Sequence, residues 1–233
     1  MATRPTLDQG QLEAALVRAT HELLAARAPD GHWVGELSSS ALSTATAVTA
    51  LAVVHKETAN RYPPSAIHLG LDWLAKSANA DGGWGDTDQS LSNLSTTALC
   101  WAAFGVAVGA DEQFRDVVSK AEGWLKQNAG GLNPDVLAPA IIVRYGKDRT
   151  FSVPILTTLN LAGRFGPGHK AWRWVLPLPF ELAACPPQWF AWLRLPVVSY
   201  ALPALIAIGQ ARHHHCPSRN PLTRLLRLLT RGR

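Results

Sequence analysis

The chain has 233 residues, 47% of them hydrophobic, and a formal net charge of +5, enough apolar content for one large domain or one and a half. The charge is unevenly placed: residues 212–233 hold six arginines and no acid, which leaves 16 basic against 17 acidic groups elsewhere and excludes a broad nucleic-acid footprint. Three scattered cysteines, Cys100, Cys185 and Cys216, make no disulfide framework and suit a reducing cytosol, and the opening MATRPTLDQG lacks an apolar signal core.

Leu12, Leu16, Ala19 and Leu23 set the apolar stripe of a first helix over Leu7–Ala28. Pro29-Asp30-Gly31 ends it, because proline disfavours helix in the residue before it and Asp-Gly favours a turn. Ser38–Val54, rich in Ala, Val and Leu, predicts a buried helix. His55–Pro64 predicts a polar connector, and Ile67–Ala78 an amphipathic helix with Ser65 as its cap. A glycine turn at Asp81 precedes a helix over Ser95–Ala107 and another over Phe114–Gln127, which Gly130-Gly131 ends. Pro134–Tyr145 and Phe151–Phe165 predict two more apolar helices, and Pro167–Trp192 a Pro- and Trp-rich loop packed over helices. Leu195–Ala211 is uncharged, but Pro196, Pro203 and a length short of roughly 20 residues favour a buried helix over a membrane span. Asn220 caps a last amphipathic helix, with Pro221 at its first position. Leu222, Leu225, Leu226 and Leu229 line one face, opposite Arg224, Arg227 and Arg231. No strand pattern persists, so the fold class is all-α, with residues 7–211 as the domain and 212–233 as a basic linker and helix.

A repeat runs through the first half. Asp30-Gly31-His32-Trp33 recurs as Asp81-Gly82-Gly83-Trp84, 51 residues on, with His32 in place of the second glycine. Thr46 and Thr97, Ala47 and Ala98, and Leu23, Leu74 and Leu125 keep the same offset. A fixed period of this kind marks stacked helical units. Trp33 and Trp84 are expected to pack between adjacent helices at these turns.

The Asp81–Trp84 turn followed by Ser95-Thr96-Thr97-Ala98-Leu99 resembles the repeat of the prenyltransferase and squalene cyclase superfamily. Arg149–Pro154, Leu161–Gly166, Trp174–Glu181 and Pro186–Trp192 follow in the order of the N-terminal half of a squalene–hopene cyclase-like protein, over roughly Leu12–Gln210. That resemblance implies an α/α toroid of helical hairpins, here incomplete, on a membrane surface. It also implies a parent isomerase activity of triterpenoid biosynthesis, in which an acid protonates squalene or another polyprenoid and carbocations cascade through ring closures. The acid must be strong and dry, and the cations need aromatic faces. The family's acid is the middle Asp of a DxDD motif in the C-terminal toroid, and this sequence has no DxDD. Asp86-Thr87-Asp88-Gln89 lacks the last acid and is expected to be a solvated turn that caps the next helix. Tyr200-Ala201-Leu202 replaces the usual Trp and Arg after Ser199. The stop just after an amphipathic helix is expected to reflect a missing catalytic half, so no catalytic residue is assigned.

Trp172, Trp174, Trp189 and Trp192 are the candidates for lining an isoprenoid cavity or a membrane entrance. His213-His214-His215-Cys216 has metal-ligand residue types, but adjacent side chains cannot all face one ion; an exposed linker is expected, with no metal and no cofactor. Arg144-Tyr145-Gly146-Lys147-Asp148-Arg149 could meet a diphosphate, as in a prenyl-transfer relative, although a solvated loop is the plainer expectation. The terminal helix is expected to lie on the missing toroid or a partner chain, with a membrane surface as the next choice and a nucleic acid excluded for want of stacking residues. No phosphate-binding glycine loop or nucleophile elbow occurs. The function expected is cyclase-family handling of a polyprenoid. The alternatives are a non-catalytic isoprenoid-binding or scaffold domain and, behind it, prenyl transfer. The protein is expected in the cytoplasm or peripherally on the inner face of the membrane.

Overall fold

A computed structural model describes residues 8–35, 37–58, 64–146, 151–177, 180, 185–192, 194, 202–217, 220, 221, 224, 225 and 228. No strand occurs among them, and the fold is all-α, as expected. No helix among them is long and apolar enough to cross a membrane. The chain divides into two compact units, residues 1–38 and 39–233.

The first unit holds α1 (Gln9–Ala25), which Asp8 caps by accepting from the Gly10 amide at 3.0 Å. Among the described residues of that unit no second helix covers the Leu12–Leu16–Leu23 stripe. The unit ends in its glycine turn, where Trp33 Nε1 donates to the Leu23 carbonyl at 2.6 Å.

The second unit is organised around α4 (Leu94–Val106). Ser95 through Phe104 are all buried, so this helix is enclosed on every side, as its near-continuous apolar sequence dictates. Packed on it are α2 (Ala41–Glu57), α3 (Pro64–Lys76), α5 (Ala110–Gln113), α6 (Arg115–Ala129) and α8 (Ser152–Leu161). The connector after α2 starts later than the sequence suggests, because Val53, Val54 and His55 continue the helix to Glu57. Ser65 is not a cap: α3 begins at Pro64, an imino acid suited to the first turn, and Ser65 lies inside it. The helix expected from Phe114 is α6, with Phe114 as its N-cap; Phe114 also ends α5, and its ring packs on Phe104 at 5.3 Å.

α7 (Pro134–Arg144) starts at an Asn133 cap and leads to Tyr145, whose hydroxyl lies 2.7 Å from Ser95 Oγ. The expected Pro- and Trp-rich loop contains two short helices, α9 (His169–Trp172) and α10 (Pro187–Trp192). Residues 195–201 of the expected buried helix lie outside the described residues; the rest falls in α11 (Leu202–His215), which packs on α8 and α9 but is not buried. Among its described side chains most are exposed or half-buried, because Gln210, Arg212 and the histidines interrupt any all-round apolar surface.

A buried arginine ties α4 to the turn after α8. Arg164 Nε and Nη2 donate to the Trp101 carbonyl at 2.9 and 2.7 Å. Nη1 and Nη2 grip Asp111 at 3.0 and 2.7 Å, and the guanidinium lies 4.4 Å from the Trp101 ring centroid. The space it fills is left by Gly105, where a Cβ would stand 2.4 Å from Nε.

Candidate functional site

The repeat is real at atomic level. In each turn a glycine takes a left-handed conformation, Gly31 at φ 92° and Gly82 at φ 87°, which other residues adopt only with strain. Its amide donates at 2.9 Å to the carbonyl three residues back, Ala28 or Asn79. That same residue's amide then donates across the turn to His32 at 2.8 Å or Gly83 at 2.9 Å. Trp84 Nε1 donates to the Leu74 carbonyl at 2.9 Å, as Trp33 does to Leu23. Trp84 is fully buried, whereas Trp33 is 47% exposed. The turns therefore match at the 51-residue offset, but the helices after them do not. The caps are Ser40 and Asn93, so the second loop is two residues longer, and Thr97 matches Thr44 rather than Thr46.

The carboxylates of the second turn are committed to structure. Asp81 Oδ1 accepts from the Gly83 amide at 3.0 Å and Ser92 Oγ at 2.7 Å, and Oδ2 accepts from Trp124 Nε1 at 2.9 Å. Burial pushes its pKa up, but the hydrogen bonds from Ser92, Gly83 and Trp124 together outweigh it and hold the group below the ordinary value. Asp86 does not cap α4 itself; Asn93 does, accepting from the Thr96 amide at 3.0 Å. Asp86 Oδ1 braces that cap by accepting from Thr96 Oγ1 at 2.5 Å and Asn93 Nδ2 at 2.8 Å. Its backbone carbonyl accepts from Ser40 Oγ at 2.8 Å, so one turn secures the starts of both α2 and α4. The bonds from Thr96 and Asn93 lower the Asp86 pKa, with help from the Arg144 charge.

Arg144 and Asp86 share a groove of 670 Å3 with Ser90 and Asn128. A guanidinium already facing a carboxylate suits a diphosphate poorly. Lys147, Asp148 and Arg149, the rest of the basic run, lie outside the described residues, as do Thr150, Leu178, Pro179 and Glu181 of the sequence motifs.

The four candidate tryptophans are dispersed. Trp172 is buried and lines a cavity of 470 Å3 with Asn160, Leu161, Pro167 and His215. Its ring stacks on His215, centroids 4.5 Å apart and planes 11° off parallel. Partial burial of the ring lowers the His215 pKa, and the neighbouring charges of His214 and His169 add to the effect. Trp174 is half-buried and engaged elsewhere: Nε1 donates to Asp135 Oδ1 at 3.1 Å, and the same oxygen pairs with Arg173. Those bonds, Arg173 first, hold the Asp135 pKa below its usual value. Trp189 and Trp192 sit on α10, 61% and 84% exposed, and line neither this cavity nor the groove.

The partner of Trp172 was hidden in a motif set aside as a linker. His213–His215 form the last turn of α11 because the helix runs on to meet α8 and α9. No group of three or more metal-ligating side chains occurs among the described residues. Gly163, Gly166 and Gly168, all at positive φ, shape the loop over the Trp172 cavity, and their close spacing was the signal available in the sequence. All three cysteines are free thiols, and burial raises the Cys100 pKa well above normal. Of the terminal helix, Leu225 and Leu228 are exposed and Arg224 donates its amide to the Asn220 carbonyl. Leu222, Leu226, Leu229, Arg227 and Arg231 lie outside the described residues.

No curated protein and no solved structure matches the chain. A family model does: the squalene-hopene cyclase N-terminal domain matches residues 16–147. That stretch contains both glycine–tryptophan turns, the Asp86 brace and the enclosed helix α4, while the Trp172 cavity lies beyond it. With more than half its length matched by the model, the chain belongs to the squalene-hopene cyclase N-terminal domain family.

Proposed function

We propose that this chain is a polyprenoid-binding domain of the cyclase type, which holds squalene or a related isoprenoid but does not supply the proton that starts cyclisation. The observation that carries the second half is that among the described residues no carboxylate lines the Trp172 cavity, while three outside it are held as anions. Asp81, Asp86 and Asp135 are each held below the ordinary pKa by donated hydrogen bonds. An alkene is protonated only by a strong acid that is itself protonated and shielded from water. These three groups are anionic at pH 7 and occupied in bracing turns and surface pairs. Family membership supports the isoprenoid as ligand.

The residues available to hold an apolar chain without catalysis are Leu161, Pro167 and the Trp172–His215 stack around the 470 Å3 cavity. An indole face and aliphatic walls offer contact area, and among the described residues no carboxylate lines the cavity. Prenyl transfer is the weaker reading, since Arg144 faces Asp86 across its groove.

The test is to incubate the purified chain with squalene in mixed detergent micelles, following binding by equilibrium partition and products by gas chromatography. Saturable uptake that Trp172→Ala weakens, with squalene recovered unchanged, is expected. A cyclised hydrocarbon made by this chain alone would overturn the non-donor assignment. Failure to take up squalene or any shorter polyprenol would overturn the binding assignment.

A further inference from the structure

A second cavity lies at the opposite side of the α2–α3–α4 packing from the braced turns. The last turn of α2 contributes Ala52 and Lys56, the first turns of α3 contribute Ile67, His68 and Leu71, and the end of α4 contributes Val106. It encloses 230 Å3. The inner wall is apolar and dry: Ala52, Ile67 and Leu71 are buried, and α2 presents a methyl group where a larger side chain would fill the space. Such cavities hold water poorly and accept apolar ligands.

The rim has the opposite character. Lys56 is exposed at the mouth with the His68 imidazole, His55 also lines it, and among the described residues no carboxylate does. The α2 residues complement the negative end of their own helix. His68 sits in the second turn of α3, where its imidazole offers a hydrogen-bonding group at the mouth.

We propose that this cavity binds the chain end of a single-chain anionic amphiphile, the apolar tail between Ala52, Ile67 and Leu71 and the acidic head at Lys56 and His68. The ligand enters as a monomer. The Lys56 charge selects the head, and a volume of 230 Å3 suits one unbranched or methyl-branched chain better than a bulky ring system. The site is separate from the Trp172 cavity and does not depend on the polyprenoid assignment.

The experiment is a titration of the full chain with decanoate, decanol and decyltrimethylammonium below their micellar concentrations, by calorimetry and by methyl NMR. Decanoate is expected to saturate, to shift the Ala52 and Ile67 methyls, and to bind about fivefold or more tightly than decanol, with the cation weakest. Lys56→Glu is expected to remove the preference for decanoate and leave decanol unchanged, and Ala52→Leu to abolish binding of both. Lys56 is exposed, so its variant reads out charge selection even if Ala52→Leu fails to fold. Equal affinity for the three heads, binding only at micellar concentration, or shifts centred on the Trp172 cavity would each overturn the proposal. A null result here leaves squalene uptake and its Trp172→Ala sensitivity unaffected, so the two assignments fail separately.

Discussion

Gly105→Ala should change sign according to what stands at position 164. An alanine within a helix is ordinarily worth up to about 1 kcal/mol over glycine. Here the added Cβ would sit 2.4 Å from Arg164 Nε and 2.5 Å from Cζ, so the guanidinium must leave. Its departure breaks the paired contact with Asp111, the two bonds to the Trp101 carbonyl and the face contact with the Trp101 ring. The Arg164 side chain is 11% exposed and that of Asp111 is 41% exposed, so Asp111 regains water and the ion pair counts for less than a fully buried one. Losing the guanidinium as a charged donor to that carbonyl costs about 1–3 kcal/mol, and the lost pair and ring contact add about 1 kcal/mol more. Set against the helix gain, Gly105→Ala should destabilise by about 1–3 kcal/mol. In an Arg164→Ala background the obstacle is gone, and the same change should stabilise by about 0.5–1 kcal/mol. Urea unfolding of the four proteins, followed by circular dichroism, gives the coupling directly. If Gly105→Ala costs the same in both backgrounds, the guanidinium is not what requires the glycine.

Other expectations follow from the carboxylates, the indoles and the tail. Because Asp81 and Asp86 have folded pKa values below the unfolded value of about 3.9, the unfolded chain binds protons first as pH falls. Their contribution is therefore complete above that value and is lost as pH drops through the folded pKa values. Asp81→Asn should flatten the acid limb of a thermal-melting profile, and an unchanged limb would refute the role given to Asp81. Trp84→Phe should cost about 2–4 kcal/mol, from a lost indole bond and a buried void. The same change at the half-exposed Trp33 should cost about 1 kcal/mol or less, and equal losses would contradict the burial difference. Deleting residues 219–233 removes the exposed Leu225 and Leu228 and should lower binding to anionic liposomes; unchanged partitioning would remove the tail as a membrane contact.

The parts of this fold legible in the sequence were the local ones. Leu74, Gly82 and Trp84 lie within one turn-and-helix unit, so spacing alone located them, and the enclosed helix α4 announced itself by its composition. What escaped depended on distant partners. The grip of Arg164 on the Trp101 carbonyl joins residues 63 apart, and nothing at either position signals it beyond an unremarked Gly105. Thr46 was paired with Thr97 because a constant offset was carried past a loop that had grown by two residues. The histidine tract is exposed at His214 and His215, as polarity suggests, but it is the last turn of α11 rather than a linker, and the stack of His215 on Trp172 depends on a residue 43 positions away. Of the four tryptophans chosen as cavity residues, composition could not distinguish the one turned inward from the one clamped by Asp135 or the two on an exposed helix.

The two joints of the second glycine turn differ in what can undo them. An indole N–H neither titrates nor carries charge, so the bond from Trp84 to the Leu74 carbonyl is indifferent to acid and to salt. The Asp81 carboxylate, which joins the turn to Ser92 and Trp124, is sensitive to acid. Acid strong enough to protonate a carboxylate held below its ordinary range should therefore loosen the contact between neighbouring hairpins before it disturbs the hairpin itself, giving the unit a preformed seam along which helices part while each stays wound.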